Sequence, residues 1–460
     1  MSPGRTAPPP GTGRSAARGM KLPTSSEVVE RVPVQRRAPF GRNPAVGGRG
    51  SRTQQRIIRA ALQVFGEVGY DACRVERITA AAGCSRPSFY QYFSSKEDLF
   101  RQLAGQVASA LSEVLDDIKP ITPDAGGWHA LRDWACAYAE LYDLYWPVFA
   151  TFAAAERSDE AVASGAARVR AGHIGLLADR IDAEAFRTDT LDVVAGILFN
   201  AMNRANRYRT LLERLDPGRA PHIDRFLDSL AEVLHRALFG RRGGGFSDHR
   251  PLTAPTVELP TSIGRRVVQD GVGPAGRRTR IRLVDAAAAS FVTKGYHDAR
   301  VDDIAAAAGS SHGTFYRYFD NKDDVFRIVA ARSGRRVMGA IVALPDIAAS
   351  PGTASSTRRL RRWADSYVTT WAEEGPIFRM WVEAVDQDPK VSELTVRSID
   401  AVRSGLARFL SHRDFGDPDV DALLLVSLLD LTSDGTPHER SVDVLVTVIR
   451  RGFLGIDARY

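Results

Sequence analysis

Residues 83–100 read GCSRPSFYQYFSSKEDLF, and residues 309–326 read GSSHGTFYRYFDNKDDVF. The glycine, the serine two places on, the Phe-Tyr and Tyr-Phe pairs, the lysine, an aspartate and the final phenylalanine recur in register. The positions between them differ: Arg86-Pro87-Ser88 in one copy, His312-Gly313-Thr314 in the other. A frame retained around a changed face is the pattern of a scaffold that presents different side chains to two targets.

The repeat extends outward. Residues 51–100 align ungapped with 277–326, identical at 23 of 50 positions. A fainter echo follows, LRDWACAYAELYDLYWPVF at 131–149 over LRRWADSYVTTWAEEGPIF at 360–378. Such self-similarity makes the chain a duplication of a small domain followed by a larger one. The expected domains are a basic tail (1–50), a first small domain (51–100) and a first larger domain (101–240). A linker (241–276), a second small domain (277–326) and a second larger domain (327–460) follow. The tail is rich in Pro, Gly, Ser and Arg and reads as disordered, and the linker is rich in Gly and Pro.

The periodicity is helical. Ile57, Ala61, Val64 and Phe65 recur at helix spacing and Gly69 stops the first helix. A second helix is expected at about 75–82 and ends at Gly83. A third runs over about 86–92 behind Ser85, and a fourth opens with a capping box formed by Ser94 and Glu97, or Asp320 and Asp323 in copy two. The larger domains read as longer amphipathic helices, so the fold class is all-α.

The 460 residues carry a formal charge of +7, with 44% hydrophobic residues. Residues 1–50 hold nine basic and two acidic residues, so the basic excess lies in the tail. A case for a nucleic-acid partner therefore rests on local placement. Three cysteines exclude a disulfide scaffold. Cys84 reads as a packing residue, with redox sensing as the alternative. No stretch reads as a signal peptide or membrane span. The histidines form no metal-ligand pattern, and no P-loop or nucleophile elbow is present. Neither an enzyme nor a cofactor or metal is expected.

Two short helices joined by a glycine turn make a helix-turn-helix. On the third helix Arg86, Ser88, Gln91 and the Tyr90 hydroxyl can face outward, with Phe89 and Phe93 inward. Arginine can grip guanine bidentately and serine can donate or accept at a base edge. Lys96, in the first turn of the next helix, reads as a phosphate contact or a solvated charge.

These stretches resemble the DNA-binding region of the TetR family of bacterial repressors, twice over, across about 100 residues in total. The resemblance implies that the third helix enters the major groove. It assigns base or phosphate contacts to Ser85, Arg86, Pro87, Ser88, Tyr90, Tyr92 and Lys96. In copy two it assigns them to Ser311, His312, Gly313, Thr314, Tyr316, Tyr318 and Lys322. Tyr92 and Tyr318 are alternatively packing residues. Where the family places a Thr or Ser cap before the second helix, this chain has Arg74 and Arg300, which are expected to reach phosphate.

The tandem form resembles actinobacterial regulators of lipid, steroid or cell-entry operons. It implies a cytoplasmic, nucleoid-associated, ligand-responsive repressor on operator DNA, its two bodies paired within one chain. A homodimer of tandem chains is the alternative pairing, and a protein-interaction adaptor is the alternative function. An apolar or lipid-like effector would be lined by Trp134, Tyr138, Trp146, Phe149, Asn200 and Asn203 in body one, and by Trp363, Tyr367 and Trp371 in body two. The same aromatics also suit a plain core.

Overall fold

A computed structural model describes residues 48–456, except 183–190, 219, 241–272, 346–352, 385–388, 412, 414 and 430–437. The expected tail to residue 47 and most of the linker lie outside the described residues. The described chain is helical, with one isolated bridge between Ile121 and Ile181. Unit one contains α1 (Gly48–Ala72), α2 (Val75–Ala81), α3 (Arg86–Tyr90), α4 (Lys96–Asp116), α5 (Ala125–Ser158), α6 (Glu160–Ala178), α7 (Leu191–Leu215) and α8 (Ile223–Phe239). Unit two contains α9 (Pro274–Asp298), α10 (Val301–Ala307), α11 (His312–Tyr318), α12 (Lys322–Val342), α13 (Ala354–Ala384), α14 (Pro389–Leu410), α15 (Pro418–Leu429) and α16 (His438–Thr447). The last helix continues as a π-helical turn, Val448–Phe453. The first helix of each unit begins before the expected boundary, since residues 48–50 and 274–276 are helical.

The punctuation follows backbone chemistry. Gly69 and Gly295 break the first helices at φ 73° and 78°. Gly83 and Gly309 take φ 57° and 62° in the helix-turn-helix turn, where a side chain would be strained. The fourth-helix caps sit one residue later than expected. Ser95 accepts from the Asp98 amide and Asn321 from the Asp324 amide. Ser94 instead hydrogen-bonds Asp98 through its amide and hydroxyl. The shift arises because either of two adjacent polar residues can cap, and the one with extended backbone does.

Each small domain closes on a compact aromatic core. Phe65, Tyr70 and Phe100 meet at centroid distances of 5.0–5.9 Å, and Phe291, Tyr296 and Phe326 repeat the arrangement. The two heads sit differently on their bodies. In unit one, α5 kinks at Tyr145 ahead of Pro147. The kink sets Trp146 and Pro147 against Gly66 of α1, where an added Cβ would lie 2.7 Å from the indole. The Arg214 guanidinium of α7 lies over that indole, 3.7 Å from the ring centre. The register of the repeat reverses these sizes in unit two: Val292 stands where Gly66 does, and Gly375 where Trp146 does. Val292 is exposed.

The two bodies meet through α7 and α8 of unit one and α14, α15 and the π-helical turn of unit two. At the crossing Gly452 lies against α8, where a Cβ would come 3.0 Å from the Val233 carbonyl. Arg236 Nε donates to the Gly452 carbonyl (2.9 Å) and Arg451 Nη1 to the Leu238 carbonyl (3.0 Å). Aligned on ALFG and GFLG, Arg236 and Arg451 are equivalent, so the pair is quasi-twofold. Around it the contact is unequal. Arg236 also faces buried Asp421, which is held by Arg413 at 2.8 Å, and both guanidiniums lie over Phe415. Arg225 pairs with Asp417 across the same seam. Burial pushes the Asp421 carboxyl up and the Arg413 guanidinium down, against the attraction of the pair.

The seat of Trp146 on Gly66 should couple head one to its body. Trp146→Ala should destabilise unit one by about 3 kcal/mol. Hydrogen exchange should accelerate along α1 and stay unchanged along α9. Equal acceleration in both would refute the difference.

Candidate nucleic-acid interface

α3 and α11 each form because a serine caps them and an aromatic residue anchors them. Ser85 Oγ accepts from the Ser88 amide, and Ser311 Oγ from the Thr314 amide. Phe89 and Phe315 are fully buried beneath. With one face fixed, Arg86, Pro87 and Tyr90 are exposed in copy one, as are His312, Gly313 and Tyr316 in copy two. Tyr90 and Tyr316 are 41% and 48% exposed, while the other tyrosines of the heads are buried or half-buried, and they mark the outward face. Ser88 and Thr314 are half-buried at its edge, and the Thr314 hydroxyl hydrogen-bonds that of Ser311.

Not every expected contact residue lies on this face. Tyr92 is 5% exposed and belongs to the core, because its helix ends at Tyr90 and the chain turns inward there. Tyr318 is half-buried, with the Arg317 guanidinium over its ring. Lys96 donates from Nζ to the Tyr70 carbonyl at 2.9 Å and sits 4.3 Å above the Tyr70 ring. Lys322 repeats both contacts with Tyr296, at 2.7 Å and 4.5 Å, and burial lowers its pKa. These ammonium groups tie the fourth helix to the carbonyl of the tyrosine that follows the glycine break, so the phosphate contact expected of them is not the geometry of the free protein. Arg74 and Arg300 head α2 and α10 without capping, both exposed.

The structure adds residues that sequence patterning missed. Arg56 reaches from α1 to the Ala82 and Gly83 carbonyls at 2.5 and 2.6 Å, locking the turn of copy one. Its counterpart Arg282 turns instead to Thr279. Glu76 holds Arg86 at 2.9 Å, and Asp302 holds His312. The first pair is the repeat-equivalent of the second. A residue that lies ten places back on another helix carries no short-range signal.

The expected effector residues divide into separate groups. Tyr138 is buried among Tyr142, Phe149 and Phe199, and its hydroxyl accepts from Asn203 Nδ2 at 3.1 Å. Trp134 meets Tyr138 edge-on. Asn200 is half-buried on the same helix as Asn203. Trp146 faces the head and does not join this cluster. Sequence reading missed His173, which packs 5.8 Å from Phe199 and bonds Ser112 Oγ through Nε2 at 2.9 Å. In body two Trp363, Tyr367 and Trp371 stack in a continuous ladder along α13. Trp363 donates to the Ala340 carbonyl and Tyr367 to that of Leu429. Cys84 is half-buried, and burial raises its thiol. Among the described residues no group of three or more His, Cys, Asp or Glu could hold a metal ion. No helix there is long and apolar enough to cross a membrane.

Two outcomes follow from these placements. Lys96→Met should lower stability by about 2 kcal/mol, the scale of a hydrogen bond to a charged group. It should leave the salt slope of DNA binding unchanged; a slope reduced by about 1 would restore the phosphate contact. Burial also holds His173 and His235 below the ordinary imidazole value of 6.5. The unfolded chain takes up these protons as pH falls through 6.5 while the folded chain resists, so stability is full above that pH and declines below it. Melting at pH 7.5 and 5.5 should show the decline, and His173→Gln with His235→Gln should flatten it.

Residues 57–103 and 283–329 match the family model for bacterial regulatory proteins of the tetR family. The chain is 34% identical over 73 residues to the repressor AcnR of Corynebacterium glutamicum, covering 16% of this chain and 39% of that protein. It is 27% identical over 186 residues to the repressor LfrR of Mycolicibacterium smegmatis, covering 39% of this chain and 93% of that protein. A solved TetR-like regulator from Rhodococcus sp. RHA1 matches at 23% identity and a TM-score of 0.30, over 38% of this chain and 96% of that one. The chain thus spans about two-fifths of the length of the AcnR repressor. Each of its two repeats opens with a region that matches the tetR-family model, and the chain carries both in an all-α fold.

Proposed function

We propose that the chain is a sequence-specific, DNA-binding transcriptional regulator, a ligand-responsive repressor whose single polypeptide carries two unlike readers. The observation that carries this reading is the pair of matched reading helices. Both keep the buried Phe and exposed Tyr of the frame, yet present Arg86-Pro87-Ser88 on one and His312-Gly313-Thr314 on the other. Two identical readers would address a palindrome; two different ones address unlike half-sites.

The seam between the bodies supports pairing within one chain. Arg236 of unit one meets Asp421, Arg413 and Phe415 of unit two, an unequal contact that distinguishes the two halves. A buried ion cluster at a helix crossing is well suited to choosing a partner, since the wrong partner leaves a charge unpaired. Body one is the better candidate for an effector. Its aromatic cluster includes Asn203 and His173 as polar groups among apolar walls, the composition of a small-molecule site for a flat or lipid-like compound. Base contacts from Arg86, Ser88, His312 and Thr314, with phosphate contacts from Tyr90, Tyr316, Arg74 and Arg300, complete the reading.

Selection of duplexes from a random pool by the full chain tests it. The expected motif has two unlike halves, and Arg86→Ala should relax only one of them at a cost of about 1–3 kcal/mol. A symmetric palindrome relaxed on both sides would contradict it. Arg236→Glu should place like charge against Asp421 and weaken binding to the two-part site more than to either half alone. Equal losses would remove the seam from the mechanism.

A further inference from the structure

In both copies the first residue of the reading helix is held by an acid from the first turn of the helix before it. Arg86 is paired with Glu76, and His312, through Nδ1, with Asp302. Each basic side chain also lies against the exposed tyrosine one turn on. Arg86 lies beside Tyr90, and the His312 ring sits 4.9 Å from that of Tyr316. The same three-part cluster, acid, base and tyrosine, thus occurs twice with different chemistry. We propose that Glu76 and Asp302 are positioning residues that aim these bases into the groove, and that Asp302 makes the second reader's choice of base depend on protonation.

The inference rests on the DNA-reading function proposed above. Asp302 is a carboxylate, so it accepts a hydrogen from Nδ1 whether the ring is neutral or charged. That leaves Nε2 as the outward group. In the neutral ring Nε2 accepts, and fits the amino group of adenine or cytosine in the major groove. In the charged ring Nε2–H donates, and fits O6 or N7 of guanine. One proton, taken from or released to solvent, therefore exchanges the readout. Histidine is the side chain that changes charge between pH 5 and 8. Arg86 donates throughout that range, so the first reader is constant.

The surroundings leave Asp302 as the acid that addresses the ring. From α10, the neighbouring Asp303 is engaged by Lys294 at 2.7 Å, and Arg300 lies at the head of that helix. On α11 itself, Tyr316 flanks the ring and Arg317 lies over Tyr318. Gly313 has no heavy atom within 4 Å of a Cβ position, so nothing on that side blocks approach of a base.

The experiment is parallel selection of random duplexes by the full chain at pH 6.0 and 8.0. The half-site relaxed by Arg86→Ala should be unchanged. The other half should switch at one position from guanine at pH 6.0 to adenine or cytosine at pH 8.0, with about tenfold preference at either extreme. His312→Gln should select one base at both pH values, Asp302→Ala should lose the switch, and Asp302→Glu should restore it. Nitrogen-15 NMR of the free chain should find the neutral His312 ring protonated at Nδ1, and at Nε2 once Asp302 is removed. A motif identical at both pH values, or a switch that survives His312→Gln, would overturn the inference while leaving the regulator reading intact. Selection of no motif at either pH would instead overturn the regulator reading on which it rests.

Discussion

The pairing of the two bodies centres on one close crossing. Gly452 allows the π-helical turn of unit two to lie against the backbone of α8 at Val233. Arg236 and Arg451 then fasten each helix to a carbonyl of the other. A side chain at 452 would force the two helices to give by a few tenths of an ångström at their closest approach. The crossing is quasi-symmetric at its centre and unequal at its margin, where Arg236, and not its equivalent Arg451, meets Asp421 and Phe415. Duplication accounts for the centre, and divergence after duplication for the margin.

The same history is visible in the heads. Their aromatic cores, glycine turns, serine caps and lysine clamps are kept, because each satisfies a backbone or packing demand shared by both copies. Where the copies differ, the differences lie in presentation and coupling. Trp146 fills the space above Gly66 in unit one, while the matching positions in unit two are Gly375 and Val292. Arg214 over Trp146 extends that contact to α7, the helix that also carries Asn203 and meets unit two. Body one is therefore joined to its head through a packed aromatic bridge, a physical route by which a change around Tyr138 would reach α1.

Much of this was legible in the sequence. Helical periodicity and glycine placement located the repeats, the all-α class and the helix-turn-helix elements, because these depend on short-range backbone chemistry. The caps shifted by one residue because two neighbouring polar side chains compete for each. Tyr92 and Lys96 were harder, since motif position does not say whether a side chain turns inward or clasps the carbonyl of Tyr70. Glu76, Asp302 and Arg56 act across helices, and His173 across 61 residues from Ser112. Such contacts exist only once the fold has brought the elements together.

Light scattering of the full chain, alone and on the duplex it selects, is the most direct measurement. One chain per duplex, on a site with two unlike halves, is the expected result and makes the tandem chain a self-contained pair of readers. Two chains on a palindrome would contradict it, because each reader would then be matched by its own copy and the unequal seam at Asp421 would have no part in the choice of site.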